Sequence, residues 1–477
     1  MSSSPAQANT NPTFVTAENA EWAKRLEEAL ALLRLVAPIA LISLVNMGMS
    51  VTDTIMVSAL FGTEALAAIA VGSDLYSIVF YLCAGILAGI APFYTTAVAQ
   101  ANALERARIE RIGWMTVGLL AVSAVPLIWL APGWLEEFGI QQTLLTDGQG
   151  YTRAMALTLV PMLAVILYRT VLTAAEKPKV FLKVTLAMLP LNAIGNYVFM
   201  TGVGPIPSFG PTGAGISSLI VALASLAVLV IVVRRGTPHS VSQISEAKPD
   251  WRGLVAVLRV GIPIGIATVA ELGIFLGATF YAATLGAADV AAHTLTLRTA
   301  GVVYALPAAL LQASMVRMAR AESLHDAGAC RALIFSSLGL SATFGTAIFL
   351  TLAIVAEPFA TAFFDDSAAG MAAMQLAVVL LILLGLVELL IGPGSAAAGL
   401  LRGRKDTRAP MIYVLVGHWA VGAPLGIYLC EAHGLGAIGI WIGLAAGTFL
   451  TTLLTLTRLF TRTHAFPAVL QHAGHVG

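Results

Sequence analysis

LRLVAPIA (33–40) and LRVGIPIG (258–265) state one design twice, and the repetition decides the fold. Pro38 and Pro263 stand 225 positions apart, and FGTEALAA (61–68) answers LGAADVAA (285–292) at a spacing of 224. Each copy opens a long apolar stretch that holds one acid. Asp53 lies 15 residues after the first proline, and Glu271 lies 8 after the second. A carboxylate inside hydrocarbon costs on the order of a few kcal/mol, so a chain that keeps one there uses it.

Composition points to a membrane. Of the 477 residues, 58% are hydrophobic and only 11% charged, with a mean hydropathy of +0.88. A soluble domain needs about twice that share of charge. The net charge of +1 and the lack of a basic run exclude nucleic acid as an expected partner. Cys83, Cys330 and Cys430 are too few and too scattered for a disulfide framework or a metal site, and read as small apolar packers. Residues 1–20 contain no lysine, arginine or apolar core, which excludes a signal peptide and predicts a disordered cytoplasmic tail. A short amphipathic lead-in carrying Lys24 and Arg25 follows it.

An all-α polytopic membrane protein is expected, because a helix crosses the bilayer with about 20 apolar residues. Spans are predicted near 33–60, 66–97, 112–132, 151–174, 180–203, 213–233, 253–284, 289–316, 332–356, 371–401, 408–430 and 435–458. Charge alternates across the connections. Arg106, Arg108, Arg111, Lys177, Lys179, Arg317, Arg320, Arg331, Arg402, Arg404 and Lys405 fall on one side. Glu64, Glu136, Glu137, Asp147, Asp289, Glu357, Asp365, Asp366 and Glu431 fall on the other. The positive-inside rule then makes both termini cytoplasmic. Six spans per half is an even number, so the two halves are a parallel repeat: pseudo-symmetric six-helix bundles related by an axis along the membrane normal. The domains read as a tail (1–32), an amino-terminal lobe (33–234), a polar cytoplasmic linker (235–252), a carboxyl-terminal lobe (253–460) and a second cytoplasmic tail (461–477).

A resemblance narrows the class. GLLRGRKDTRAPMIYVLVGHWAVGAPLGIYLCEAHGLGAIGIWIGLAAGT (399–448) resembles the tenth-to-twelfth helix region of the multidrug and toxic compound extrusion family, NorM-like branch. VTDTIMV (51–57), NAIGNYVF (192–199), GPTGAGISS (210–218), AELGIF (270–275) and VAAHTLTLR (290–298) extend the match over essentially residues 33–460. The resemblance implies a V-shaped pair of bundles that alternates between outward- and inward-open states. It also implies export of organic cations, drugs or toxic metabolites in exchange for H⁺ or Na⁺, with no further cofactor.

Low dielectric favours the neutral form of a carboxyl group, so a buried acid suits a protonation or Na⁺ site. Asp53 is read as such a site, the competing role being a structural carboxylate bonded to neighbouring helices. Asn192 and Asn196, at i and i+4 of the fifth span, share a face and offer the oxygens a hard cation requires. The family places these positions beside the first-helix acid, and some members carry an acid where this chain has Asn196. Glu271 matches the family's buried glutamate of the seventh helix and is expected in a cation or substrate site, an internal salt bridge being the alternative. Many relatives carry an aspartate where this chain has Ile391; Glu388, one turn earlier, is expected to stand in for it. Arg298, at a depth like that of Glu271, is expected to pair with Glu271, Glu388 or Asp74. The spacing of 224 carries Asp74 onto Arg298, so the two occupy matched places and are candidates to pair across a central cleft. Pro38 and Pro263 are helix-bending prolines. His293 and His418 read as buried hydrogen-bonding residues, and the tail HAGHVG as a free end.

The chain has no Walker A lysine, HExxH or nucleophile elbow, so neither ATP-driven transport nor enzymatic hydrolysis is expected. The reading is an inner-membrane antiporter that works as a monomer, with cationic amphiphiles and the bilayer as partners. The rival in the same superfamily is a lipid-linked oligosaccharide flippase, which would line its cavity with several arginines. An intramembrane glycan polymerase would carry a large outer loop, and none here is much longer than about 18 residues.

Overall fold

The repeat organises the backbone as well as the sequence. A computed structural model describes residues 12–236 and 250–464, with side chains described over 21–233 and 250–462. Within them lie 11 helices long and apolar enough to cross a membrane. The first is two spans in one, because Pro12–Ala88 turns back at Gly62 (φ 81, ψ −177). Its counterpart Gly286, again 224 positions on, separates the seventh and eighth spans with φ 137. Only glycine enters these backbone regions without penalty. The second span ends in Ala91–Ala99.

The third to seventh spans are Ala103–Trp129, Gln149–Ala174, Pro178–Thr201, Thr212–Gly236 and Trp251–Leu285. The eighth is split at Tyr304 into Ala287–Val303 and Ala305–Ser323; the ninth and tenth are Ala327–Thr361 and Ala368–Gly403. The eleventh runs through Arg408–Val414, a π-helical turn over Leu415–Gly422 and Ala423–His433, and the twelfth is Ala437–His464. All twelve expected spans are therefore present. Side chains cap the starts of four: Asn102, Asp250, Asp326 and Ser367 each accept a hydrogen bond from a first-turn N–H. Pro38 and Pro263 both sit buried inside helices that continue through them.

One boundary differs from expectation. The tail was expected to run to residue 32, but helix begins at Pro12 and continues into the first span. Tertiary contacts rather than hydropathy hold it. Arg317 donates to both oxygens of Glu28 at 2.8 Å, Ser336 Oγ donates to the carbonyl of Arg25, and the Arg25 guanidinium lies 4.5 Å from the Phe335 ring. Residues 1–11, 237–249 and 465–477 lie outside the described part, and with them most of the expected linker and the HAGHVG tail.

The helices before and after the linker each build a core, and the two lobes meet in the half of the spans nearest the face that carries both described ends. There GILAG (85–89) of the second span crosses GIPIG (261–265) of the seventh. A Cβ built on Gly85 would lie 2.5 Å from Gly265 Cα, and one on Gly89 2.6 Å from Gly261 Cα. Backbone meets backbone here, as small-xxx-small pairs allow. The repeat carries these positions onto Ala309, Ala313, Val36 and Ala40, all buried in one cluster where the first span packs on the eighth. Polar contacts reinforce the seam at its rim. Arg317 and Arg320 reach Glu176 at 3.1 and 3.0 Å, and Lys405 Nζ lies 4.2 Å from the Phe93 ring. Arg108 pairs with Asp250, whose carboxyl is held below its ordinary range by the Gly253 N–H and the Arg108 guanidinium.

Towards the opposite face, Asp74 of the second span and Arg298 of the eighth are both exposed, and no ion pair within 4.0 Å joins them among the described residues.

Candidate cation site

Two polar clusters lie inside the spans, one in each lobe. In the amino-terminal lobe Asp53 is half-buried, nine residues before the Gly62 turn, or about 13 Å along a helix. The fifth span brings Asn192 and Asn196 against it from one face, as their i and i+4 spacing requires. Asn196 Nδ2 donates to Asp53 Oδ1 in a short hydrogen bond, and Asn192 lies beside the same carboxylate. Both amides are buried, at 3% and 0% exposure, and neither side-chain oxygen has a hydrogen-bond partner among the described residues. A buried amide oxygen without a donor is costly. Two of them beside a carboxylate make an oxygen-rich niche suited to a hard cation or a proton-bound water. Tyr151 of the fourth span lies within electrostatic reach of both Asp53 and Asp74.

In the carboxyl-terminal lobe Glu271 is half-buried and accepts a hydrogen bond from the Tyr304 hydroxyl at 3.4 Å. Tyr304 stands at the join of the two segments of the eighth span, with helical backbone angles and its N–H bonded to the Ala300 carbonyl. Trp419 flanks the same acid: its indole N–H donates to the Ala270 carbonyl at 3.0 Å, and its ring lies close over Gly273. The π-helical turn that carries Trp419 adds a residue to the helical ladder and so turns this ring onto the seventh span. Glu388 is 2% exposed, and its Oε2 has no hydrogen-bond partner among the described residues. Tyr304 feels the charges of Glu271, Arg402 and Glu388 together, so these four groups form one cluster. Arg402 is only 7% exposed and acts as the counter-charge to Glu271, although no ion pair within 4.0 Å joins them among the described residues.

The structure thus brings Asp53, Asn192 and Asn196 together, and Glu271 with Glu388. It does not bury Arg298. That residue makes no ion pair within 4.0 Å with Glu271, Glu388 or Asp74 among the described residues. An exposed guanidinium escapes the desolvation cost that would demand a partner. Tyr151, Tyr304, Trp419 and Arg402 were not singled out from sequence, although Trp419 and Arg402 stand in the motifs that carry the resemblance. His293 accepts from Trp441 Nε1 at 3.2 Å and lies 3.0 Å from Thr279 Oγ1, while His418 lies between Thr448 and Thr451, so both are hydrogen-bonded core residues.

The two acids are not repeat equivalents. Their places relative to Pro38 and Pro263 differ by seven residues, about two helical turns, so they keep one face but sit about 10 Å apart in depth.

The model of the MatE family matches residues 38–198 and 263–428, one segment per lobe. A probable multidrug resistance protein NorM of Mesorhizobium japonicum is 28% identical over 448 residues, covering 92% of this chain and 95% of its own. A multidrug resistance protein NorM of Burkholderia vietnamiensis is 30% identical over 441 residues, covering 91% and 94%. Among solved structures, a MATE in the bent conformation superposes with a TM-score of 0.83 at 16% identity, covering 94% of this chain and 98% of that one. The eukaryotic MATE transporter AtDTX14 gives 0.79 at 16% identity, covering 92% and 96%.

Proposed function

This chain belongs to the MatE family of membrane transport proteins, and on that premise we propose that it is a secondary antiporter that exports organic cations in exchange for H⁺ or Na⁺. The observation that carries the reading is the Asp53 niche: one carboxylate and two buried amide oxygens without a partner among the described residues, inside the membrane-spanning part of one lobe. Its relatives are named for multidrug resistance, and a carboxylate inside a membrane-spanning lobe favours the cationic amphiphiles among such compounds.

In this reading a cationic amphiphile enters the cleft when it opens to the cytoplasm or inner leaflet, and apolar walls supply most of its affinity. Asp53, and on the other side Glu271 and Glu388, hold its charge. After the cleft opens outward, H⁺ or Na⁺ takes the carboxylates and the substrate loses its counter-charge. Asn192 and Asn196 orient Asp53 and complete the oxygen set. Coupling is then competition for one negative charge, and no energy-transducing domain is required. The face with both described ends is assigned to the cytoplasm of an inner membrane, and the chain works as a monomer of two six-helix lobes.

The test is ethidium efflux from proteoliposomes under separately imposed pH and Na⁺ gradients, with Asp53→Asn beside the native protein. Efflux driven by one gradient and lost in the variant is expected. Native protein that moves no ethidium under either gradient refutes the antiporter reading and turns attention to the flippase alternative.

A further inference from the structure

A cavity of about 410 Å³ lies on the face that carries both described ends, lined by Phe93 of one lobe and by Arg259, Lys405, Asp406 and Arg408 of the other. It straddles the lobe seam, next to the glycine crossing. Three of its five named walls are basic, and Arg259, Lys405 and Arg408 are all exposed. None of the three forms an ion pair among the described residues. Asp406, the one acid, is already committed, to Arg458 at 3.0 Å and Arg462 at 3.8 Å. Lys405 sits at φ 62, a left-handed turn that points it back across the seam onto the Phe93 ring. A ring face attracts a cation but leaves its charge uncompensated.

The positive-inside rule accounts for basic residues on this face, yet not for three that converge on one cavity with no acid to spare. Guanidinium and ammonium groups at a membrane–water boundary recognise phosphate, the first by paired donors and the second as a point charge. We propose that this cavity binds an anionic phosphate group, from a phospholipid headgroup or free in solution, and that Lys405 and Phe93 place it across the two lobes. The cavity is separate from the cation site, and its occupancy does not depend on which ion drives transport.

Native mass spectrometry of the full chain in detergent, titrated with dioleoylphosphatidylglycerol or dioleoylphosphatidylcholine, tests the proposal, with thermal unfolding in inorganic phosphate as a second arm. Each basic residue near an anionic headgroup contributes about fivefold, so Arg259→Gln/Lys405→Gln/Arg408→Gln should bind phosphatidylglycerol about 100-fold more weakly. Arg259→Lys/Arg408→Lys should keep the preference, and Arg408→Gln alone, less prone to misfold, should lose about fivefold. A preference for phosphatidylglycerol over phosphatidylcholine that depends on these residues assigns a lipid. Stabilisation by inorganic phosphate alone, lost in the triple variant, assigns free phosphate. If Arg408→Gln and the folded triple variant match the native protein in both arms, the proposal is overturned.

Discussion

In the amino-terminal lobe Asp53 is held by two neutral amides; in the carboxyl-terminal lobe Glu271 is held by a tyrosine hydroxyl and lies in the field of a buried arginine. With all acids ionised, the first cluster carries one negative charge. The second carries two, from Glu271 and Glu388, offset by one positive charge on Arg402. Both clusters therefore carry a formal charge of −1, reached with different parts. One lobe spends a single acid and leaves amide oxygens open; the other uses two acids and a built-in cation. The repeat conserves the path of the helices and the hairpin glycines Gly62 and Gly286, but not the side chains that set the local charge. A single proton or monovalent cation would neutralise either cluster, whichever lobe it entered.

The comparison breaks most visibly at Arg402. Arg402→Met leaves Glu271 without its counter-charge, and stranding buried charge costs about 3–5 kcal/mol. A lowered thermal midpoint in detergent is expected, and Arg402→Met/Glu271→Gln, which removes both charges, should recover most of it. A double variant no better than the single would show that Arg402 is held by packing and not by charge balance. Asp53→Asn acts on the other side of the comparison. It removes the only charge of the amino-terminal cluster while preserving shape, so it should weaken cation binding by about 2–5 kcal/mol, a loss of 30-fold or more. Ethidium titration of the two proteins measures it directly, and equal affinities would assign the charge-bearing role to the other lobe. Gly265→Ala tests the seam. Its Cβ would meet the Leu82 carbonyl oxygen at 2.6 Å, where the repeat-equivalent Ala40 already carries a Cβ. Overpacking of this kind costs about 1–3 kcal/mol, read as a lower thermal midpoint.

Much of this was legible in the sequence, and what was not has a physical cause. Hydropathy found the spans because apolar length is all that a bilayer demands of a helix. The i and i+4 spacing of Asn192 and Asn196 was enough to bring both onto Asp53. Arg402 was read as one more basic residue of a cytoplasmic loop. In a helix, however, side chains lean back towards the amino-terminal end. The tenth span enters from the opposite face, so a guanidinium at its last turn runs back into the lobe. Position along the chain does not show that. Arg298 shows the limit of depth as a guide. Its depth led to the expectation of an ion pair, but depth cannot say whether a residue faces a neighbouring helix or lies exposed. An amphipathic lead-in carrying Lys24 and Arg25 was legible before residue 33, but not its continuity with the first span, because the Glu28–Arg317 and Arg25–Phe335 contacts that hold it come from the other half of the chain.

The smallest expected effect concerns Asp74 and Arg298, where the repeat sets an acid opposite a base within the spans. Their matched positions invite the idea that they latch the cleft. The geometry argues for less: both are exposed, and no ion pair within 4.0 Å joins them among the described residues. Attraction between exposed charges is screened by water and salt, and such pairs contribute about 0–1 kcal/mol. Asp74→Asn should therefore leave the thermal midpoint nearly unchanged and alter ethidium efflux by less than about fivefold. Added salt should shrink even that difference, whereas the loss in Asp53→Asn should persist at high salt because its surroundings are largely shut off from solvent. Efflux abolished by Asp74→Asn to the extent expected of Asp53→Asn would reverse the comparison. The charge that meets the substrate would then lie in the open cleft, and the two unlike clusters would be supports for the lobes and not the seats of the exchanged cation.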